Sequence, residues 1–257
     1  MNLRHPAVPA LIAALTLASP ARGAATLETE TARFHPRGAM EAELVFEHQR
    51  AADGRETAVP FAFEVALTDR IALLVEPVPY TKIQPSAGSS AHGPGDIEVT
   101  LNALVHPETR WPAFALAGEV KVPTAEAPLI GSDQYDYTAY LIASRWFGRR
   151  LDTHANVGYA IIGHPAGVSV NNTFNVAHAG EYRWSARWDA VGEFLASTSA
   201  LPENAGESTT TPEISAGEVT GMLGARYAIT PGVTASFGVT LDNNGAVLYR
   251  PGLTARF

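Results

Sequence analysis

Counting back by twos from Phe257 gives Ala255, Leu253, Pro251, Tyr249 and Val247, while the other parity gives Arg256, Thr254, Gly252, Arg250 and Leu248. An apolar, aromatic-ended face set against a face carrying two arginines has the two-residue period of a β-strand. The alternation returns in segment after segment of about ten residues, each ended by turn chemistry. Strands are expected near 39–50, 58–67, 70–80, 95–105, 111–122, 135–147, 152–163, 174–185, 187–199, 214–229, 232–242 and 246–257, about twelve in all. Projected from Phe257, one face collects Val233, Phe237 and Leu241, Val99, Leu101 and Val105, Phe114, Leu116 and Val120, and Phe61, Phe63, Val65 and Leu67. None of these is charged. A strand facing lipid must be arranged this way, because a Lys or Arg at the bilayer midplane costs ~2–4 kcal/mol. Three residues fit less well: His178 falls on the lipid parity, Arg145 is outward and must reach the rim by snorkelling, and Pro251 interrupts a ladder and calls for a bulge.

A soluble sandwich could share the alternation, but it has no reason to sort its connections by end. Short turns are expected at 68–69, 106–110, 148–150, 185–186 and 230–231, and longer loops at 51–57, 81–94, 123–134, 164–173 and 200–213. Only the last hairpin, 242–245, breaks the rule. Short periplasmic turns and long external loops are the habit of outer-membrane barrels. The expected fold is therefore all-β: a transmembrane antiparallel barrel over residues 39–257 with both ends on the periplasmic side.

The N-terminus supports export. Arg4 and His5 precede an apolar run from Ala7 to Ala18, and small residues follow at Ala21, Gly23, Ala24 and Ala25. This is the plan of a cleaved signal peptide over residues 1–25. Residues 26–38 have no period and read as a polar lead-in. Nothing later offers the ~18 consecutive apolar residues that a helical span needs, so a membrane form must be a barrel. Without residues 1–25 the chain holds 16 basic and 26 acidic side chains, a balance of −10, which disfavours nucleic acid as a partner. The absence of cysteine removes disulfides, Cys-ligated zinc and thiol nucleophiles.

Within the barrel region, Gly95-Asp96-Ile97, then a strand ending in Lys121-Val122-Pro123-Thr124, then His154-Ala155-Asn156-Val157-Gly158-Tyr159 follow one another in a particular order and spacing. In these motifs, and over most of residues 95–257, the chain resembles the bacterial MetA-pathway-of-phenol-degradation family of outer-membrane transporters. It departs after the Pro-Thr pair, where the family often has Gly and this chain has Ala125. The resemblance implies an exported barrel that passes hydrophobic or aromatic compounds. It carries no functional residues over.

The inward parity supplies the candidate site. Its lumen-lining residues are Glu43, Glu64, Glu76, Asp96, Glu98, Glu119 and Lys121 on the early strands, His154 and Asn156 in the middle, and Arg183, Arg187, Asp189, Glu193, Glu218, Arg226, Arg250 and Arg256 on the later ones. Closure would bring Arg250 and Arg256 beside Glu41, Glu43 and Glu47. Two readings follow: a salt-bridge network that fills the barrel, or a water-filled constriction with acids facing arginines. Enzyme chemistry is not expected. Gly88-Ser89-Ser90-Ala91-His92 lacks the last glycine of a nucleophile elbow, His154 and Asn156 face inward rather than the outer wall as in a barrel lipid hydrolase, and no HExxH or close His pair suggests a metal. Glycines at 158, 192, 217, 221, 224 and 238 read as strand curvature or close packing. The expected protein is a cofactor-free outer-membrane barrel for passive passage of a small solute. Its partners would be outer-membrane lipid, that solute, and the assembly machinery reading the C-terminal strand. The alternative is a filled barrel that serves as anchor, adhesin or scaffold.

Overall fold

The computed structural model describes residues 26–127, 129–165, 167–200 and 217–257; the signal peptide expected over 1–25 and most of the loop expected at 200–213 lie outside the described residues. Twelve strands form the wall. The first four are each interrupted once: Met40–Val45 with Glu47–Ala51, Gly54–Val59 with Phe61–Thr68, Ile71–Pro77 with Tyr80–Pro85, and Ala91–Gly93 with Ile97–His106. The other eight are continuous: Ala113–Val122, Asp136–Phe147, Leu151–Ile161, Thr173–Arg183, Trp188–Ser197, Val219–Thr230, Val233–Asp242 and Val247–Arg256. Every neighbouring pair is antiparallel, and the first strand meets the last from Glu41↔Arg256 to Val45↔Gly252. Closure removes the sheet edge, whose unpaired amides could not be satisfied in lipid.

Proline marks three of the four interruptions, at Pro60, at Pro77 and Pro79, and at Pro94; the first falls at Phe46. Pro251 does not need the bulge expected for it. Val45↔Gly252 and His48↔Tyr249 keep one register on either side of it, and the Phe46 amide donates to the Pro251 carbonyl at 2.9 Å. The ladder loses only the bond that the missing proline N–H would have made. A true slip occurs elsewhere, where Val59↔Tyr80 and Phe63↔Val75 differ by one residue across Pro77-Val78-Pro79.

Turns at 69–70, 107–112, 148–150, 184–187 and 231–232 share one end of the barrel with the termini, where the amides of Met40 and Phe257 each donate to the other's carbonyl at 3.0 Å. The opposite end differs from expectation at two places. Ala51 pairs with Gly54, so the loop expected at 51–57 is a two-residue turn, and strand pairing through Pro85 and Ala91 shortens the loop expected at 81–94 to residues 86–90. Residues 54–57 and 81–85, expected as loop because they are mostly polar, are strand and extend the wall on one side.

Outward positions along the middle of the wall are mostly apolar. Leu101, Leu116, Leu141 and Leu253 form part of an exposed band. Trp111, Phe147, Tyr182, Trp188 and Phe257 lie towards the turn end, and Tyr80, Tyr137, Tyr159, Phe174 and Tyr249 towards the loop end. Two aromatic girdles around an apolar belt are what the two interfaces of a bilayer select. His178 does face outward, with Nδ1 bonded to the carbonyl of His154 at 2.8 Å, and Arg145 reaches the turn-end rim, where Nη1 donates to the Arg110 carbonyl. The protein is a transmembrane β-barrel.

Candidate functional site: a lumen shared with the N-terminal segment

Residues 26–38, expected as a lead-in ahead of the barrel, run inside it. At the turn-end rim the Arg37 amide donates to Asp69 Oδ1 and the Gly38 amide to the Ala66 carbonyl, both at 2.8 Å. Gly38 takes φ +83°, a left-handed conformation that lets the chain fold back from the first strand into the opening. His35 Nε2 then lies 3.5 Å from Glu41 and 3.9 Å from Glu64. Arg33 donates through Nε and Nη2 to both oxygens of Asp152 at 2.9 and 2.6 Å, with Nη1 2.6 Å from Glu108. Its guanidinium also lies over the Trp146 ring, as Arg183 does, at 5.7 and 5.3 Å.

Deeper in the barrel, wall side chains satisfy the segment's backbone. The Ala32 amide donates to Ser144 Oγ at 2.8 Å. Asn156, with its amide oriented to match its neighbours, donates to the Glu30 carbonyl at 2.9 Å and accepts from the Glu30 amide at 2.8 Å. Glu193 accepts from the amides of Leu27, Glu28 and Thr29 and from the Thr29 hydroxyl, three of these at 2.5, 2.8 and 2.7 Å. Hydrogen bonds to a charged group are worth about 1.5–3 kcal/mol each, so Glu193 is the strongest single tether. Apolar contacts accompany it: Leu27 packs with Val191 and Met222, and Ala32 with Ala113, Ala115, Ala117 and Ile142.

Two glycines shape that seat. A Cβ on Gly224 would fall 2.5 Å from Leu27 Cδ1 and 2.8 Å from the Phe237 carbonyl, and one on Gly238 would fall 3.0 Å from Leu27 Cδ1 and 2.8 Å from Met222 Sδ. Gly238 faces only flexible side-chain ends, so Gly238→Ala should leave the wall intact while pushing Leu27 out of its socket. Faster protease cleavage within residues 26–38 of the refolded variant is expected, and cleavage at the wild-type rate would show that the socket does not hold the segment.

Ser144, His154 and Asp152 bring a nucleophile, a base and an acid together. Ser144 Oγ is 2.8 Å from His154 Nδ1, but His154 Nε2 is 3.8 Å from Asp152 Oδ2. The carboxylate is committed to Arg33, the hydroxyl accepts the Ala32 amide, and none of the three is more than 1% exposed. The group serves to hold the segment.

The remaining lumen is hollow. One cavity of about 520 Å³ lies between the segment and the early strands, lined by Glu43, Glu64, Glu76, Asp96, Glu98, Lys121 and Arg250 among others. A second of about 520 Å³ is lined by Glu119, Asn156 and Glu218. Glu28, Glu30, Glu76 and Glu98 line both. Burial, reinforced by Glu64, Glu119 and Glu98, pushes the carboxyl of Glu30 up to about 7.

Cations sit in pairs. Arg250 Nε donates to Glu47 at 2.8 Å, Arg256 Nε to Glu41, and Arg226 Nη1 to Glu181 at 2.8 Å; Lys121 Nζ is 2.8 Å from Asp136 and 3.7 Å from Asp96; Arg183 is 4.0 Å from Asp189. Arg187 stands apart from the other lumen candidates. It is exposed in the turn before the ninth strand and its Nη1 reaches the Tyr227 hydroxyl at 3.2 Å, because strand parity does not carry into a turn. Ser144, Trp146 and Asp152 share the inward parity with His154 and Asn156, and that parity was the signal that could have found them.

A family model described as "Putative MetA-pathway of phenol degradation" matches residues 52–253. No curated protein matches the sequence. Among solved structures, the NanC porin is similar with TM-score 0.60 and 11% identity over 83% of this chain and 98% of that one. A KdgM porin in complex with disordered oligogalacturonate is similar with TM-score 0.55 and 12% identity over 84% of this chain and 99% of that one. At such identities the likeness is one of fold.

Proposed function

The chain belongs to the MetA-pathway-of-phenol-degradation family, and from that premise we propose that it is a passive, cofactor-free channel for a small hydrophobic or aromatic compound, narrowed by its own N-terminal segment. The observation that carries this reading is the pair of cavities left beside the segment, which meet at shared residues in mid-lumen. The family description supports the cargo. The tethering of residues 26–38 favours a second reading, a closed barrel that serves as an anchor or scaffold.

Arg250 separates the two. It lines the first cavity, and in its pair with Glu47 the side chains are 14% and 24% exposed. In an open channel Arg250→Ala removes a positive charge from a wetted wall. Planar-bilayer recordings should then show altered conductance and a stronger cation preference, with a modest loss of stability because water screens the freed carboxylate. Cells lacking the protein should take up a small aromatic compound more slowly, and the purified protein should hydrolyse no lipid. Absence of any conductance in the wild type, with a large stability loss in Arg250→Ala, would favour the closed barrel.

A further inference from the structure

The strands that extend the wall at the loop end sort their charges by side. Along Glu47–Ala51, Gly54–Val59 and Tyr80–Pro85 the inward parity sets Glu47, Glu56, Thr81 and Ile83 against the lumen. The outward parity carries Arg50, Arg55 and Lys82, with His48 and Thr57 between them and no acid. Every other Lys or Arg of residues 26–257 lies in the lumen or at the turn end, although that stretch holds ten more acidic than basic side chains. Asp53, the acid nearest in sequence, lies beyond in the turn, and no ion pair joins it to either arginine.

The strand register lays this face out in rungs. Pro251, Phe46, Val59 and Tyr80 share the lowest, Tyr249, His48, Thr57, Lys82 and His92 the next, and Val247, Arg50, Arg55 and Gln84 the one above. Outward rungs on one strand are ~7 Å apart, so the surface passes from apolar to cationic over the step from acyl chain to head group.

A second observation concerns how Arg50 is held. It stands directly opposite Arg55, a like-charge contact that destabilises a sheet. Its Nε nevertheless donates to His48 Nε2 at 3.2 Å, and His48 Nδ1, which must then carry the ring proton, donates to Thr57 Oγ1 at 2.9 Å. This relay fixes the guanidinium and leaves its two terminal nitrogens without a partner. Among the described residues the side chains of Arg55 and Lys82 have none either.

We propose that this outer face of the first three strands binds a lipid of the loop-end leaflet whose head group carries two phosphates. Arg50 and Arg55 take one phosphate between them, which removes the repulsion across their rung, and each guanidinium matches two of its oxygens. Lys82, one strand and one rung from Arg55, or ~8 Å, meets the second. The acyl chains lie along Phe46, Val59 and Tyr80, and that apolar rung selects a lipid over a soluble phosphate. The inference rests on the loop end facing outward from the cell; it does not depend on whether the lumen conducts.

The test titrates the refolded protein, by native mass spectrometry from a non-ionic detergent, with lipid A, a diglucosamine lipid bearing two phosphates. Lipid A should bind about tenfold or more tightly than phosphatidylglycerol, which has one phosphate, and should lose about tenfold in the double variant Arg50→Gln with Arg55→Gln and several-fold in Lys82→Gln. These side chains lie on the surface, so the variants should fold, and heat-modifiable migration on gels checks that they have. Arg110→Gln with Arg149→Gln, which removes as much charge at the turn end, should leave lipid A binding unchanged. Lipid A affinity unaltered in both loop-end variants, or lowered as much by the turn-end pair, overturns the proposal. Displacement of bound lipid A by an equal concentration of inorganic phosphate also overturns it, since the face would then be a site for free phosphate. Equal affinity for lipid A and phosphatidylglycerol overturns the two-phosphate head group.

Discussion

A refolded barrel that begins at Ala39 should conduct several-fold better than one that carries residues 26–38. The segment contributes no residue to the wall, whose first strand starts at Met40 and closes on the last strand through its own ladder. Its removal joins the two cavities and opens the half of the lumen now occupied by Leu27, Ala32 and Arg33. Conductance follows the narrowest wetted section, and that section is where the segment lies. Arg33→Ala offers the same test without a deletion. It abandons Asp152, whose side chain is fully buried, and so loosens the segment at the rim; flickering between a small and a large conductance is expected in single-channel records. Identical traces from all three proteins would mean that the segment does not limit passage.

The largest expected loss of stability belongs to Arg226→Ala. Arg226 and Glu181 have side chains 6% exposed, and the bond between them is 2.8 Å long. Removing one partner of a buried pair leaves a charge without compensation, typically at a cost of about 3–5 kcal/mol. Replacing both, as Arg226→Met with Glu181→Leu, should recover most of that loss, since the desolvation penalty disappears together with the attraction. Urea denaturation in detergent measures both. A loss below about 1 kcal/mol in the single variant, the range of exposed pairs, would mean that water reaches this part of the lumen. The contrast with Arg250, on the cavity wall, is one of wetness: the same ion types behave as packing where the lumen is dry and as a charged surface where it is not.

Much of this was legible in the chain. The alternation that ends at Phe257 and the uncharged face of Phe61 to Leu67 identify a lipid-facing strand, because lipid tolerates so few exceptions on one parity. The family motifs also make physical sense: Asp96 Oδ1 accepts the amides of Thr124 and Ala125 at 2.8 Å, and the Thr124 hydroxyl donates to the Gly95 carbonyl at 3.0 Å, so Gly95-Asp96 and Pro123-Thr124 clasp the ends of two neighbouring strands. Residues 26–38 were illegible for the opposite reason. Deep in the barrel their backbone amides are received by Glu193, Ser144 and Asn156, and such bonds place no period on the segment that donates them. Gly224 and Gly238 read as curvature or close packing, and only Leu27, some two hundred residues away, shows what packs against them. Where strand parity was carried past a strand's end, as at Arg187, it failed.

The reciprocal bonds between Met40 and Phe257, with the Glu41 and Arg256 pair beside them, join parts of the chain at least 215 residues apart in sequence. Loop-closure entropy makes so distant a contact among the slowest to form. Gly38 turns the chain inward two residues before that seam begins, so the cork and the seam of the cask are neighbouring parts of one polypeptide. A segment already inside when the seam closes is laid in place during assembly, and one that arrives later must enter through the turn-end mouth past Trp146. The order of those two events would then decide whether a newly made barrel is ever leaky.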